Sequence, residues 1–520
     1  MSFAYFSRCK PAPAWTAACL TILLCGCSSP APANHLTTSP PPPGNPVGAN
    51  LTQISSDPFT IGPGQHATEV EPHLLANGNT LVATFQVGRI SDGGATDVGW
   101  ATSTDGGMSW AHGFLPGLTI GEGTGPYDAA SDPNVAYDAK HGVWMISSLP
   151  LSGTIQTPAV AISRSTDGGF TWQNPVSVAP TAPSSDKNWL VCDSWAASPH
   201  YGNCYVEWDD PIRSAADEIL MSTSSDGGLT WGAATPTANL AQGIGGQPLV
   251  QPNGTVVVPI ELTNSPIMAS FSSIDGGASW SAPVTIANIQ LHLDAGGIRS
   301  GPLPSAAVDG AGTVWVVWED CRFRTACSTN DLVYSTSSDG ANWSTVTRIP
   351  IDDVSTAVDH FIPGIGIDPA TSGGDAHVAL HYYYYSQSNC SVDSCQLFVG
   401  YISSANGGTT WNVPSTLTSA AMLLDWLPNS QNGLMVGDYI ATAFTNGVPH
   451  GVFAVAQVNS AATFGEATYT AQGLTVVSSG KQLSSAADRP LHKLSGEIEK
   501  ERPEKGTRPP LKRRAMQRKK

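Results

Sequence analysis

The sequence predicts an all-β protein, a β-propeller of four-stranded antiparallel blades, and three observations predict it: one short motif is written six times, its copies are evenly spaced, and the composition suits short strands. The 520 residues include 53 Gly, 40 Pro and 15 Trp but only 12% charged residues. That mixture describes many strands joined by tight turns, not a helical protein.

The motif reads STDGGMSW at 103–110, STDGGFTW at 165–172, SSDGGLTW at 224–231 and SIDGGASW at 273–280, with worn copies SSDGANW at 337–343 and SANGGTTW at 404–411. Their acidic or Asn positions, 105, 167, 226, 275, 339 and 406, lie 62, 59, 49, 64 and 67 residues apart. Each interval holds one four-stranded sheet, which is propeller-blade spacing. Six motifs predict six blades with insertions, while residues 50–480 also accommodate seven with short loops.

Within a copy, Asp-Gly-Gly supplies the positive φ angles of a tight turn, the carboxylate caps nearby N–H groups, and the Trp packs between strands. Alternating runs before the motifs, such as Ala161-Ile162-Ser163-Arg164 and Leu220-Met221-Ser222-Thr223, predict half-buried strands. The motifs are therefore structural.

The blades are flanked by segments of other character. Residues 1–27 read as an export signal: Arg8 and Lys10 precede an apolar stretch, Ala14 to Leu24, too short to span a membrane. The stretch ends in Leu24-Cys25-Gly26-Cys27, which resembles a bacterial lipobox and implies lipidation of Cys27, with cleavage and release as the alternative. The Pro-rich run at 28–49 predicts a solvated tether. Residues 27–480 carry nine Lys/Arg against 36 Asp/Glu, whereas 481–520 carry thirteen against five. The acidic body excludes nucleic acid as its partner, and the basic tail lacks apolar periodicity and predicts disorder.

Six body cysteines fall into three close pairs, Cys192 with Cys204, Cys321 with Cys327 and Cys390 with Cys395. Export permits three local disulfides, and no spacing suits zinc. Carboxylates at Glu207, Asp209 and Asp210, at Glu319 and Asp320, and at Asp128, Asp132 and Asp138 fit either solvated turns or Ca²⁺, the one cofactor the composition suggests. The alternating run His381 to Tyr385 offers two tyrosines to each face of a strand.

The motif resembles the Asp-box (BNR) repeats of the sialidase superfamily. The resemblance implies a propeller and an exo-acting glycoside hydrolase, exo-alpha-sialidase-like, on the terminal sugars of a glycan or glycoconjugate. It implies an arginine cluster, a Tyr nucleophile assisted by Glu, and an Asp acid/base. Arg89 and Asp92 match the family's second arginine and acid/base by order, with Asp97 as a second choice. The first arginine's position holds Val70, and Ile298 to Pro304 lacks the expected Glu. Arg299, Arg322 and Arg324 are the arginines left to bind substrate, and Tyr439 in Gly437-Asp438-Tyr439 is the candidate nucleophile.

Two functions fit these residues: an exported, lipid-anchored or secreted monomeric hydrolase, and a non-catalytic surface propeller that binds glycan or protein. The body's negative charge favours a neutral sugar over an acidic one.

Overall fold

A computed structural model describes residues 44–482, apart from 61, 154–156, 179–183, 212–216, 461–462 and 479–480. Cys27, the export signal, most of the tether and most of the basic tail lie outside the described residues.

The Asp-boxes form the turns their residues dictate. In the first, Gly106 and Gly107 adopt φ of 72° and 85°, a region closed to most side chains. Asp105 Oδ1 accepts from the N–H groups of Met108 and Ser109 at 3.0 Å each, and Ser103 Oγ accepts from Gly107 N–H at 2.9 Å. The Trp110 indole donates to the Gly107 carbonyl at 3.1 Å. The second, third and fourth boxes repeat the serine contact and the aspartate cap. In the sixth, Asn406 caps Thr410 N–H at 2.9 Å in the aspartate's place.

Each box joins the third and fourth strands of a four-stranded antiparallel unit. The units lead with strands Glu69–Asn77, Ala129–Asp138, Asp186–Cys192, Leu249–Val250, Ser305–Val308, Asp359–Ile367 and Ala441–Thr445. Six units carry a box. The seventh has none, and its outermost strand is the chain's own beginning: Leu51–Gln53 pairs with Glu466–Ala471, Leu51 opposite Ala471.

Apolar clusters lie between consecutive units. Val82 and Trp100 meet Val135 and Ile146 between the first and second. Tyr205 and Met221 meet Val258 and Phe271 between the third and fourth. Leu81 and Phe85 of the first meet Ala443 and Val452 of the seventh. The middle strands are therefore buried on both faces. Ala161 packs toward the first unit and Ile162 toward the third, and Arg164 between them is 7% exposed. Alternation here separates two buried faces, which corrects the half-buried strands expected from the pattern.

Boxes also bind neighbours: Thr102 Oγ donates to the Gly169 carbonyl at 2.9 Å, and Arg164 Nε to that of Gly227 at 2.6 Å. All three expected disulfides are closed. Among the described residues no helix is long and apolar enough to cross a membrane.

Candidate functional site

Four of the seven lead strands share an irregularity at the end opposite the boxes. Register shifts fall between Val70 and His73, Ser131 and Asn134, Asp186 and Trp189, and Phe361 and Gly364. Each bulge contains one left-handed residue: Glu71 (φ 54°), Asp132 (48°), Lys187 (48°) and Ile362 (47°). A bulge inserts one residue and re-aims its side chain. Three of these four side chains are ionisable, and with Asp438 and Arg299 they build one buried network.

Arg299 grips Asp438 with two nitrogens, Nε donating to Oδ1 at 2.6 Å and Nη2 to Oδ2. Lys187 Nζ donates to the same Oδ2 and lies 3.8 Å from Glu71 Oε1. Asp132 accepts from Lys187 N–H at 3.2 Å and from Ser131 Oγ at 2.8 Å. Gln86 donates to Glu71 Oε2, and Arg89 Nη1 donates to Gln86 Oε1 at 3.1 Å.

The environment separates the carboxyl groups. Burial, then the negative charge of Asp132, raises Glu71 to about 8, so it holds its proton at neutral pH. Burial alone would also raise Asp132, but Lys187, Ser131 and a hydrogen bond from Glu71 hold it below its ordinary value. Asp438 is likewise held far below by Arg299 and Lys187 against burial. Lys187 stays charged because Asp438, Asp132 and Glu71 outweigh burial. A protonated carboxyl, Glu71, thus neighbours an ionised one, Asp132.

A cavity of about 20 Å³, room for about one water molecule, opens between Asp132, Lys187, Trp189, Gln247, Asp438 and Tyr439. Trp189 stands edge-on to Tyr439, with ring centroids 5.0 Å apart, and to His73 at 4.6 Å.

The residues singled out in the sequence divide around this network. Arg299 and Tyr439 belong to it. Arg299 is already engaged by Asp438, and the Tyr439 hydroxyl donates to the Pro133 carbonyl at 2.9 Å. Burial, then the charges of Glu71, Asp132 and Asp438, pushes that phenol well above its ordinary range. Arg89, 3% exposed, touches the network through Gln86 and holds the following turn through the Gly94 carbonyl at 2.8 Å. Asp92 sits exposed in that turn, where its carbonyl accepts from Gln431.

Arg322 stands apart, chelating Asp320 at 2.8 and 2.6 Å within the Cys321–Cys327 loop. It orders that loop and does not join Arg299. Arg324, 2% exposed, pairs with Asp331 at 2.5 Å and Asp352 at 2.6 Å. Asp97 is buried in its strand.

Asp331, Asp352 and His360 are the one group among the described residues with three metal-ligating atoms within 4.8 Å of one another. Arg324 and Arg348 already neutralise it, which makes it a poor cation site. Asp128 caps Gly153 at 2.7 Å and Asp138 contacts His141 at 2.5 Å, so neither joins Asp132. Glu207, Asp209 and Asp210 are all buried, the first two with no hydrogen-bond partner, and Glu319 accepts from Ile362 N–H at 3.3 Å. Tyr382, Tyr383 and Tyr385 are buried in sheet packing.

Glu71, Asp132, Lys187, Asp438 and Trp189 were not assigned to an active centre from the sequence. The available signal was an acidic residue directly before proline at the head of a strand, Glu71-Pro72 and Asp132-Pro133, at the same place in the first two units.

No family model matches the chain, and no curated protein matches it. Solved structures do. A protein of unknown function from Dyadobacter fermentans matches at 15% identity and TM-score 0.43, over 68% of this chain and 99% of that one. An α-L-arabinofuranosidase from Fusarium graminearum matches at 14% and 0.42, over 72% and 98%. The NanB sialidase of Streptococcus pneumoniae matches at 13% and 0.42, over 81% and 70%. Solved structures similar to this chain thus include a sialidase and an arabinofuranosidase, at low identity.

Proposed function

We propose that the seven units close into a seven-bladed β-propeller and that the chain is an exported glycoside hydrolase acting on a terminal sugar at the axial end. Two observations support the ring. The first and seventh units share an apolar cluster, and the N-terminal strand completes the seventh sheet. Closure of this kind removes free sheet edges.

The observation that carries the chemistry is the opposite protonation of neighbouring Glu71 and Asp132 within one buried network that also holds Lys187, beside an aromatic wall of Trp189 and Tyr439. Two carboxyl groups whose environments push their proton affinities apart suit the separate acid and base roles of an acid–base hydrolysis. Glu71 gives its proton to the departing glycosidic oxygen. As the glycosidic bond breaks, a water bonds to the anomeric carbon and gives its proton to Asp132, and Trp189 supplies an apolar face for the sugar. Asp92 and Tyr439, the pair implied by resemblance, are the competing assignment. Lipidation at Cys27, a monomeric state and a glycan partner complete the reading, and three disulfides agree with an oxidising compartment.

The test is release of an aryl leaving group from neutral aryl glycosides and a sialoside by the purified chain, with Glu71→Gln and Asp92→Asn in parallel. Turnover lost with Glu71→Gln supports the assignment. Turnover lost only with Asp92→Asn transfers the acid role to the outer loop.

A second reading, a non-catalytic glycan-binding propeller, is favoured by the cavity's size, about one water, and by the pairing of Lys187 and Arg299 with Asp438. It predicts no turnover on any glycoside, together with glycan binding that Trp189→Ala weakens.

A further inference from the structure

The axial network contains a seat for a carboxylate, and the chain fills it itself. Arg299 presents Nε and Nη2 side by side, and Lys187 Nζ approaches from another unit. This planar fork with an added ammonium is the arrangement that recognises a carboxylate. Its occupant is the carboxylate of Asp438, which spends both oxygens on it. The side chains of Asp438, Lys187 and Arg299 are 7%, 8% and 19% exposed, and Lys187 and Asp438 both line the cavity.

Asp438 reaches the seat because Gly437 takes φ of 140°. A Cβ on Gly437 would stand 2.8 Å from Glu71 N. The Gly-Asp step therefore delivers a carboxylate to a place that an incoming acidic ligand would otherwise occupy.

We propose that Asp438 is an internal carboxylate filling the Lys187–Arg299 seat, and that it makes the axial site select neutral sugars by excluding acidic ones. Selection among sugars rests on the hydrolase reading; the seat does not. An acidic sugar would have to displace a bidentate ion pair held at high effective concentration, whereas a neutral sugar leaves that pair untouched. Removing Asp438 leaves Arg299 and Lys187 without the counter-ion they share, a state that recruits an anion of matching shape.

The experiment is chemical rescue of the full chain. Unfolding temperature is measured for wild type, Asp438→Ala and Asp438→Asn in formate, acetate and D-glucuronate, against chloride at equal ionic strength. The result expected is a lowered unfolding temperature in Asp438→Ala that formate and acetate restore saturably by a few degrees, with no such response in wild type. The double variant Arg299→Gln/Asp438→Ala does not respond. Should Asp438→Ala not fold, Asp438→Asn keeps the side-chain volume and is stabilised by glucuronate more than by glucose. Carboxylates acting no better than chloride on both single variants, or acting equally on wild type, would overturn the inference. The readout involves no turnover, so a chain that hydrolyses nothing can still show rescue, and an active chain can still fail to show it.

Discussion

At the scale of single residues, the proposed chemistry depends on where protons reside. Glu71 is protonated below about 8 and works as an acid only in that form, so hydrolysis falls as pH rises through that value. Glu71→Gln removes the transferable proton and Asp132→Asn removes the base. Each lowers kcat by about 10²–10⁴-fold, and a pH–rate profile of the residual Glu71→Gln activity lacks the alkaline limb. A limb unchanged in Glu71→Gln assigns the titration to another group. These residues were legible in the sequence only as turn chemistry, since proline after Glu71 and Asp132 announces a bend. That the bend places both side chains in one network depends on the φ of the residue and on the neighbouring units, neither of which is written locally. Arg299 and Tyr439 were singled out by order along a family pattern and lie at that network. Arg322 was found the same way and does not, because Asp320, two residues before it, captures the guanidinium first.

At the scale of elements, the Asp-box was fully legible, including its worn copies, because every contact in it lies within a few residues. Ser165 is 1% exposed and serves both Asp167, at 2.8 Å, and Gly169 N–H, at 3.0 Å. Ser165→Ala leaves a buried N–H unpaired and costs about 1–3 kcal/mol, measured by urea unfolding, with activity per folded molecule unchanged. The loop that carries Arg299 depends on a different element. Asp294 accepts from Ser300 at 2.5 Å and shares a hydrogen bond with Asp359, which heads the sixth unit and lies 3.5 Å from His292. Burial raises Asp294 to about 7, and burial with the charge of Asp294 raises Asp359 to about 8. The folded chain therefore holds protons that the unfolded chain has lost above the ordinary carboxyl value. The stabilisation is complete below that value and is lost as pH climbs through about 7 and 8. Unfolding temperature thus falls between acidic and mildly alkaline pH, and Asp359→Asn makes the decline shallower. An identical slope in that variant would place the proton elsewhere.

At the scale of the whole molecule, the repeats made the all-β architecture legible while the number of units was not. The seventh unit carries no box, and its fourth strand comes from the opposite end of the chain, so no window of sequence contains it. Deleting residues 44–56 removes the strand Leu51–Gln53, exposes the edge of Glu466–Ala471 and uncovers part of the contact between first and seventh units. Such an edge recruits other chains, so the truncated protein unfolds earlier and associates, as light scattering during a thermal ramp reports. A truncated chain as stable and monodisperse as the parent would contradict the closed ring. Charge also acts at this scale: the excess of 36 acidic over nine basic residues at 27–480 repels anionic ligands at long range, in the same sense as Asp438 at the axis.

The most direct test of the central claim compares Asp132→Asn with Asp92→Asn on whichever neutral aryl glycoside the wild-type chain cleaves. Asp132→Asn is expected to fold normally and to lower turnover by about 10²–10⁴-fold, while Asp92→Asn retains it. Full turnover in Asp132→Asn would contradict the axial site as the place of catalysis.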